Sequence, residues 1–185
     1  MRVIAGTARR LPLKTPEGMG TRPTTDRVKE TLFNILQPYL EDCLFIDLFS
    51  GSGGIGIEAL SRGARHAYFV DNNKEAFSCI KRNLEFTKTE NRATIFRQDV
   101  CGALALIHEK EADIIFMDPP YGEGYENKVL ASLADKAYVT ENTLIVIEAG
   151  LLQDFSFSAS LGYEIIREKT YKTNKHVFLK KGQES

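Results

Sequence analysis

The stretch that decides the fold, residues 43–56, reads CLFIDLFSGSGGIG. It opens with an almost continuous apolar run, which is typical of a strand buried on both faces of a sheet. Gly51, Gly53 and Gly56 then satisfy the pattern G-x-G-x-x-G, and the residues after them predict a helix that ends at Gly63. A strand, a glycine loop and a helix in this order indicate the first unit of a parallel α/β sheet.

The same alternation continues toward the C-terminus. Further apolar runs, separated by helical patterns, lie at residues 67–71, 94–97, 113–117 and 143–147. One of the helical patterns extends from Val100 to His108. The last two runs, 163–167 and 176–179, have no helix between them and predict an antiparallel hairpin at the sheet edge. We therefore expect a Rossmann-like, doubly wound α/β fold with a mostly parallel, seven-stranded sheet.

A shorter region precedes this alternation. Residues 2–5 and 11–13 predict a small β-hairpin, and a helix is expected to start near Thr24 or Thr25 and to stop before Pro38. On the apolar face of that helix we place Val28, Leu32, Ile35 and Leu36. The expected organisation is an N-terminal arm over residues 1–40 and one α/β domain over residues 41–185.

Composition excludes several classes of protein. The chain has 185 residues and three cysteines, which form no C-x-x-C pair and argue against a disulfide framework. No run approaches the ~18 apolar residues of a membrane span, and the N-terminus lacks a signal-peptide pattern. The three histidines have no metal-ligand spacing, so no metal site is expected. We expect a cytoplasmic monomer.

The net charge of -1 hides an uneven distribution. Residues 1–37 carry seven Lys/Arg against three Asp/Glu, and residues 163–181 carry six against two, so each end has a charge of +4. Such asymmetry indicates either a basic face for nucleic acid or simply solvated termini. On the first interpretation, the phosphate contacts are Arg9, Arg10, Lys14 and Arg22. Arg22 has a second interpretation, in which its segment closes over a cofactor.

The glycine loop allows two cofactors. Alone it indicates a dinucleotide, with Asp71 at the end of the next strand on the ribose. Asp47 argues against that interpretation because a carboxylate repels a pyrophosphate, whereas it attracts the ammonium of S-adenosylmethionine. Asp99 would then accept from the adenine amine, although Asp71 and Asp99 could also act only as helix caps. The candidate cofactor-binding residues are Asp47, Phe49, Gly51, Ser52, Gly53, Asp71, Asn72, Asp99 and Val100.

The candidate catalytic residues follow the strand at 113–117 and are Asp118, Pro119, Pro120 and Tyr121. In open α/β folds this end of the sheet binds ligands. The Asp118 carboxylate and the Pro119 carbonyl can accept both N–H groups of an exocyclic amine on a base, while Tyr121 stacks on the ring. With both N–H groups hydrogen-bonded in this way, the amine presents its lone pair to a sulfonium methyl group. The alternative is a loop whose prolines only terminate a strand.

These motifs resemble the bacterial RsmD family of class I S-adenosylmethionine-dependent methyltransferases. The resemblance covers nearly the whole chain and is carried by the segments MRVIAG (1–6), TRPT (21–24), FNIL (33–36), DLFSGSG (47–53), EALSRGA (58–64) and DPPY (118–121), together with Arg27 and Glu30. It implies methylation of the N2 amine of one guanine in small-subunit (16S) ribosomal RNA, with the RNA as partner, bare or within a protein-bound 30S assembly. We expect the basic arm over residues 1–40 to dock this RNA.

Two positions depart from the family pattern. Asp71 stands where the family usually has Glu, and both acids can accept from a ribose. Residues 171–174 replace a Tyr-Gly turn near the C-terminus. The other functions compatible with the motifs are N6-adenine methylation of DNA or RNA, and a non-catalytic RNA-binding module that kept the fold. A nicotinamide dehydrogenase is disfavoured by Asp47 and by the segment 118–121.

Overall fold

The computed structural model describes residues 1–16 and 25–182. The strands are β1 (Leu44–Leu48), β2 (His66–Val70), β3 (Ala93–Phe96), β4 (Ile114–Met117), β5 (Leu144–Gly150), β6 (Tyr163–Thr170) and β7 (Asn174–Lys181). The helices are α1 (Asp26–Leu36), α2 (Gly54–Ser61), α3 (Lys74–Thr87), α4 (Val100–Leu104) and α5 (Tyr125–Ala134). Within the described part of the chain, no helix has the length and apolar character needed to cross a membrane.

The sheet confirms the expected fold class. Its strand order is β3-β2-β1-β4-β5-β7-β6, with β1 to β5 parallel. β7 pairs antiparallel with both β5 and β6, so the C-terminal hairpin inserts its second strand next to the parallel set. The strand order reverses between β1 and β4, which creates a crevice at the carboxyl ends of the strands.

Two apolar layers cover the sheet because its strands are buried on both faces. Alternate strand residues such as Phe45 and Phe116 pack in one cluster with α1, α2 and the N-terminal segment. Their neighbours Ile46 and Ile115 pack in the other cluster with α4, α5 and a 3-10 helix at Ser156–Leu161. The period-two alternation of a strand thus supplies both layers from near-continuous apolar runs.

Local capping sets several helix ends. The Thr25 side chain accepts from the Val28 amide at the start of α1, and the Asn73 side chain accepts from two amides at the start of α3. The expected helix from Val100 to His108 is wrong in length, because α4 ends at Leu104. After that residue the chain tightens into i to i−3 hydrogen bonds and turns Ile107 into the core.

The predicted N-terminal hairpin is present only as one isolated antiparallel bridge, between Arg2 and Pro12. It packs against the body through buried residues: Val3, Ala8 and Leu13 belong to the same core cluster as α2. At Gly6, an added Cβ would lie 1.8 Å from the Ser61 carbonyl oxygen, so only glycine permits this close approach.

A buried ionic network joins this segment to α1 and α2. Both Glu58 carboxylate oxygens accept backbone amides of the N-terminal segment, at 2.8 Å from Ile4 and 3.0 Å from Ala5. Glu58 also pairs with Lys29 at 3.2 Å and with Arg62 at 2.8 Å. Burial lowers the pKa of Lys29, and Glu58 opposes that shift.

The network also corrects the expected apolar face of α1. That face buries Lys29, Leu32, Phe33 and Leu36, while Val28 and Ile35 are only partly covered. A lysine can occupy the buried stripe because its ammonium is paired with Glu58 and donates to the Arg2 carbonyl oxygen at 2.5 Å.

Glu58→Ala should lower the free energy of unfolding by about 3–5 kcal/mol, because it leaves the Lys29 charge unpaired in the interior. Urea denaturation followed by circular dichroism measures this. Arg2→Ala is the matched control, since it breaks the exposed Arg2–Asp26 pair and should cost no more than about 1 kcal/mol. Equal losses in the two variants would contradict the structural role of the network.

Candidate active site

Three carboxylates lie on neighbouring parallel strands, close to the ends of those strands. Asp47 of β1 pairs in register with Phe116, and Met117 at the end of β4 pairs with Ile147 of β5. Asp118 and Glu148 are therefore the next residues on adjacent strands. Because side chains alternate between the two faces of a sheet, Asp47, Asp118 and Glu148 share one face and form a staggered row across β1, β4 and β5. Asp118 and Glu148 are level, and Asp47 is level with the residue two before Asp118.

The glycine loop bends sharply between β1 and α2. Phe49, Gly51 and Gly53 have φ values of 60°, 55° and 76°, so every second residue of the loop is left-handed. The Ser50 hydroxyl donates to the Asp47 carbonyl oxygen at 2.6 Å and accepts from the Val70 amide at 2.9 Å. These bonds tie the loop to the end of β2.

Asp47 is nearly fully buried at the base of this loop. Its carboxylate accepts from the Gly56 amide at 2.9 Å. Burial raises the pKa of Asp47 to about 7, the Gly56 hydrogen bond opposes the shift, and the nearby Asp71 adds to it. A buried carboxyl with this pKa favours a cation beside it, because a positive charge restores its ionised form.

Asp71 lies against the same loop. It accepts from the Gly51 amide and the Asn73 amide, each at 2.9 Å, so the carboxylate braces the loop and the start of α3. Asn72 beside it is exposed. Asp99 caps α4 by accepting from the Gly102 amide at 3.0 Å, which confirms its capping role.

The side chains of three other predicted cofactor residues, Phe49, Ser52 and Val100, pack against different parts of the structure. The Phe49 ring packs edge-to-face on Tyr125 of α5, with 5.3 Å between ring centroids. The Ser52 hydroxyl faces the Met1 sulfur, and its carbonyl oxygen accepts from Asn83 at 2.9 Å. Val100 is buried in the first turn of α4, at the end of β3.

The segment 118–121 lies at the centre of the carboxyl edge. Burial raises the pKa of Asp118 to about 8, and the negative charges of Glu148 and Asp47 add to the shift. No hydrogen bond within the described residues contributes to that shift, so the carboxyl remains open as an acceptor. Pro119 is buried, Pro120 is exposed, and Tyr121 is 54% exposed. An aromatic face thus stands in solvent next to a partly buried carboxyl.

A cavity of about 790 Å³ opens beside Tyr121. Its walls are Tyr121 and Glu148, the start of α1 with Thr25, Arg27, Val28 and Thr31, and the β6–β7 turn over residues 169–174. α1 and the C-terminal hairpin therefore enclose the space next to the segment 118–121.

Sequence reasoning did not identify one polar cluster at this cavity. Glu148 accepts from Asn174 Nδ2 at 2.5 Å and contacts His176 Nε2 at 3.1 Å. The Tyr171 hydroxyl lies 3.0 Å from His176 Nδ1. One signal was available in the sequence: Glu148 follows the apolar run of β5 just as Asp118 follows that of β4.

The predicted RNA-binding residues lie apart from Asp118. Arg9 and Arg10 are exposed in the turn that bonds to Ser61, at the end of α2 remote from the glycine loop. Lys14 is exposed, and its backbone is fixed to Asn83 of α3. Arg22 lies outside the described residues. The basic residues that line the cavity with Tyr121 were not predicted: they are Arg27, Lys169 and Lys172.

Comparison with known proteins assigns the family. The profile described as conserved hypothetical protein 95 matches residues 1–180. The chain belongs to this family. The resemblance to the RsmD family is thereby confirmed. Its relatives include a Haemophilus influenzae protein named ribosomal RNA small subunit methyltransferase D, 34% identical over 174 residues, which are 92% of this chain and 88% of the relative.

Two further relatives agree with this assignment. The Bacillus subtilis protein YlbH, a proposed rRNA methyltransferase, is 41% identical over 80% of this chain and 82% of its own. A solved Escherichia coli structure, yhhF, a proposed methyltransferase, superposes with a TM-score of 0.83 at 30% identity and covers 100% of this chain and 99% of its own.

Asp118→Asn should become progressively more stable than the parent chain as pH rises. The raised pKa means that the folded chain holds this proton more tightly than the unfolded chain, so parental stability falls between the ordinary Asp value of 3.8 and about 8. Thermal midpoints measured by calorimetry across this window should diverge and then level off. Glu164→Gln, at an exposed position of β6, is the control, and its thermal midpoint should not diverge from that of the parent chain in this way. If the difference in thermal midpoint between Asp118→Asn and the parent chain were the same at every pH, the raised pKa of Asp118 would be contradicted.

Proposed function

We propose that this protein is an S-adenosylmethionine-dependent methyltransferase that acts on the exocyclic N2 amine of a guanine in small-subunit ribosomal RNA. The observation that carries the proposal is the open Asp118 carboxyl at the end of β4, between the glycine loop and the exposed Tyr121 ring. The names of the 34% identical relatives supply the RNA class. The N2 position and the choice of guanine rest on the family resemblance.

The cofactor site proposed here lies over the glycine loop. Asp47 offers a carboxylate to the ammonium of the amino-acid end, and the left-handed residues of the loop let its backbone approach the ligand closely. Asp71 offers its remaining lone pairs to the ribose hydroxyls. Asp99 and the Val100 amide, at the end of β3, are proposed for the adenine. Bound there, S-adenosylmethionine supplies an electrophilic methyl group on a sulfonium.

The substrate site proposed here is the segment 118–121. The lone pair of the guanine amine is delocalised into the ring, so the amine is a weak nucleophile. Acceptance of its N–H groups by Asp118 and the Pro119 carbonyl favours a pyramidal nitrogen whose lone pair points away from both acceptors. Tyr121 provides a stacking face for a base that has left its own stack.

Proton transfer completes the reaction. The bound cofactor would supply the methyl group for the new nitrogen–carbon bond and would keep the electron pair of the broken carbon–sulfur bond on its sulfur. The methylated amine then carries one proton too many, which passes to Asp118 or to water. Burial and the neighbouring carboxylates raise the pKa of Asp118 to about 8, and the positive charge of a bound sulfonium would favour the ionised carboxylate, which can accept this proton.

The RNA surface proposed here has two parts. Arg27, Lys169 and Lys172 surround the cavity, where they can hold phosphates next to an extruded base. Arg9, Arg10 and Lys14 extend the surface along α2 and α3, so residues 1–40 would serve as the RNA-contacting arm of a methyltransferase domain over 41–185. Arg22 belongs to the same proposal. We further propose a cytoplasmic monomer that acts on bare RNA or on a protein-bound 30S assembly.

Incubation with tritiated S-adenosylmethionine and small-subunit RNA from a strain lacking the enzyme should label N2-methylguanosine in nucleoside analysis. Asp118→Ala should reduce the rate by at least about 10²-fold while cofactor binding persists, because it removes an acceptor used in the transition state. Asp154→Ala, at an exposed carboxylate, is the control. Label found only in N6-methyladenosine would refute the proposed substrate.

Paired alanine variants test the RNA surface. Arg27→Ala with Lys172→Ala should weaken RNA binding and lower the slope of log affinity against log salt by about 0.7–0.9 per lost phosphate contact. Arg9→Ala with Arg10→Ala should act in the same direction. Lys110→Ala is the control, because Lys110 is exposed and precedes the amino end of β4, whereas the proposed site lies at the carboxyl end. This variant should leave the slope unchanged. An unchanged slope in either double variant would remove its residues from the RNA surface.

A further inference from the structure

Glu148 is the residue of the carboxylate row that the proposed reaction does not use. It follows Ile147 on β5 as Asp118 follows Met117 on β4, and these two preceding residues are in register. Adjacent strands lie ~4.8 Å apart, so the two carboxylates can reach neighbouring atoms of one ligand. Glu148 also lines the cavity that contains Tyr121.

The Glu148 side chain is held in place from two sides. Asn174 donates to one carboxylate oxygen at 2.5 Å, and His176 contacts the other at 3.1 Å. His176 is fully buried, and its second nitrogen lies 3.0 Å from the Tyr171 hydroxyl. With Nε2–H donating to Glu148, Nδ1 can accept from Tyr171, so one tautomer satisfies both contacts. Each carboxylate oxygen keeps a second lone pair for a ligand.

Guanine and adenine differ at the atom next to the methylated amine. In guanine the N2 amine is adjacent to N1–H, so these two neighbouring positions both present donors, and the acceptor O6 lies beyond them. In adenine the N6 amine is adjacent to an unprotonated N1, which is an acceptor. A carboxylate accepts from N1–H and repels an acceptor lone pair, so an acidic group at this place distinguishes the two bases.

We propose that Glu148, oriented by Asn174 and His176, accepts the N1–H of the target base and so selects guanine. The inference rests on the proposed function, since it assigns the second half of the base edge whose amine Asp118 accepts. Glu148 is a specificity residue in this arrangement: it contacts the base but not the atoms between which the methyl group moves.

The test uses 2-aminopurine, which keeps the N2 amine but has an acceptor at N1. After the labelled guanosine has been mapped, small-subunit RNA fragments are made with guanine or 2-aminopurine at that position. The parent chain should prefer guanine by roughly 10- to 100-fold in kcat/KM. Glu148→Gln should lose most of that preference, because its amide can donate to an acceptor at N1. Glu164→Gln should keep it.

The outcomes separate the two proposals. Absence of guanine labelling by the parent chain overturns the proposed function and this inference together. Labelling with an unchanged guanine to 2-aminopurine ratio in Glu148→Gln overturns this inference alone. If Glu148→Gln fails to fold, Asn174→Ala is used instead. This variant removes the hydrogen bond that orients the Glu148 carboxylate but keeps the carboxylate itself. That variant should lower the ratio mainly through a higher KM for guanine, and an unchanged ratio overturns the inference.

Discussion

Parallel strand register holds Asp47, Asp118 and Glu148 in one row at the carboxyl edge of the sheet, and this constraint determines the character of the whole site. Backbone pairing fixes their spacing, so the like charges cannot separate to relieve repulsion. Burial then raises the pKa values of Asp47 and Asp118. Such a row favours ligands that bring positive charge or hydrogen-bond donors, and S-adenosylmethionine and a guanine edge bring both.

The elements outside the parallel core complete this row. β7 enters the sheet beside β5, which places His176 opposite Glu148 in register. α1 approaches from the other side and brings Arg27 to the cavity. The acidic floor of the site is therefore built by β1, β4 and β5, while its basic rim comes from α1 and the C-terminal hairpin. The two basic ends of the sequence meet here, although Arg9 and Arg10 lie farther along α2.

The parts that could be predicted from the sequence are those fixed by local pattern. Apolar runs indicate the parallel strands, and the segments 47–53 and 118–121 carry their chemistry within a few residues of one strand end. The position of Glu148 after the apolar run of β5 is visible in the sequence, but its partners are not, because they are contributed by a strand that pairs antiparallel and lies later in the chain. Lys29 contradicts the simple apolar stripe of α1, since only the folded contact with Glu58 compensates its burial. The end of α4 likewise depends on packing of Ile107.

The docking of the N-terminal segment has a consequence for the order of events during synthesis. Its partners are Glu58, Ser61 and Asn83, all far downstream. Lys14 is therefore translated some time before Asn83, an interval of roughly 3–14 s at typical bacterial and eukaryotic rates. During that interval the core cluster that buries Val3 and Leu13 is incomplete. The part of the chain that leaves the ribosome first therefore waits until α2 and α3 have been made before its hydrogen-bond partners are complete.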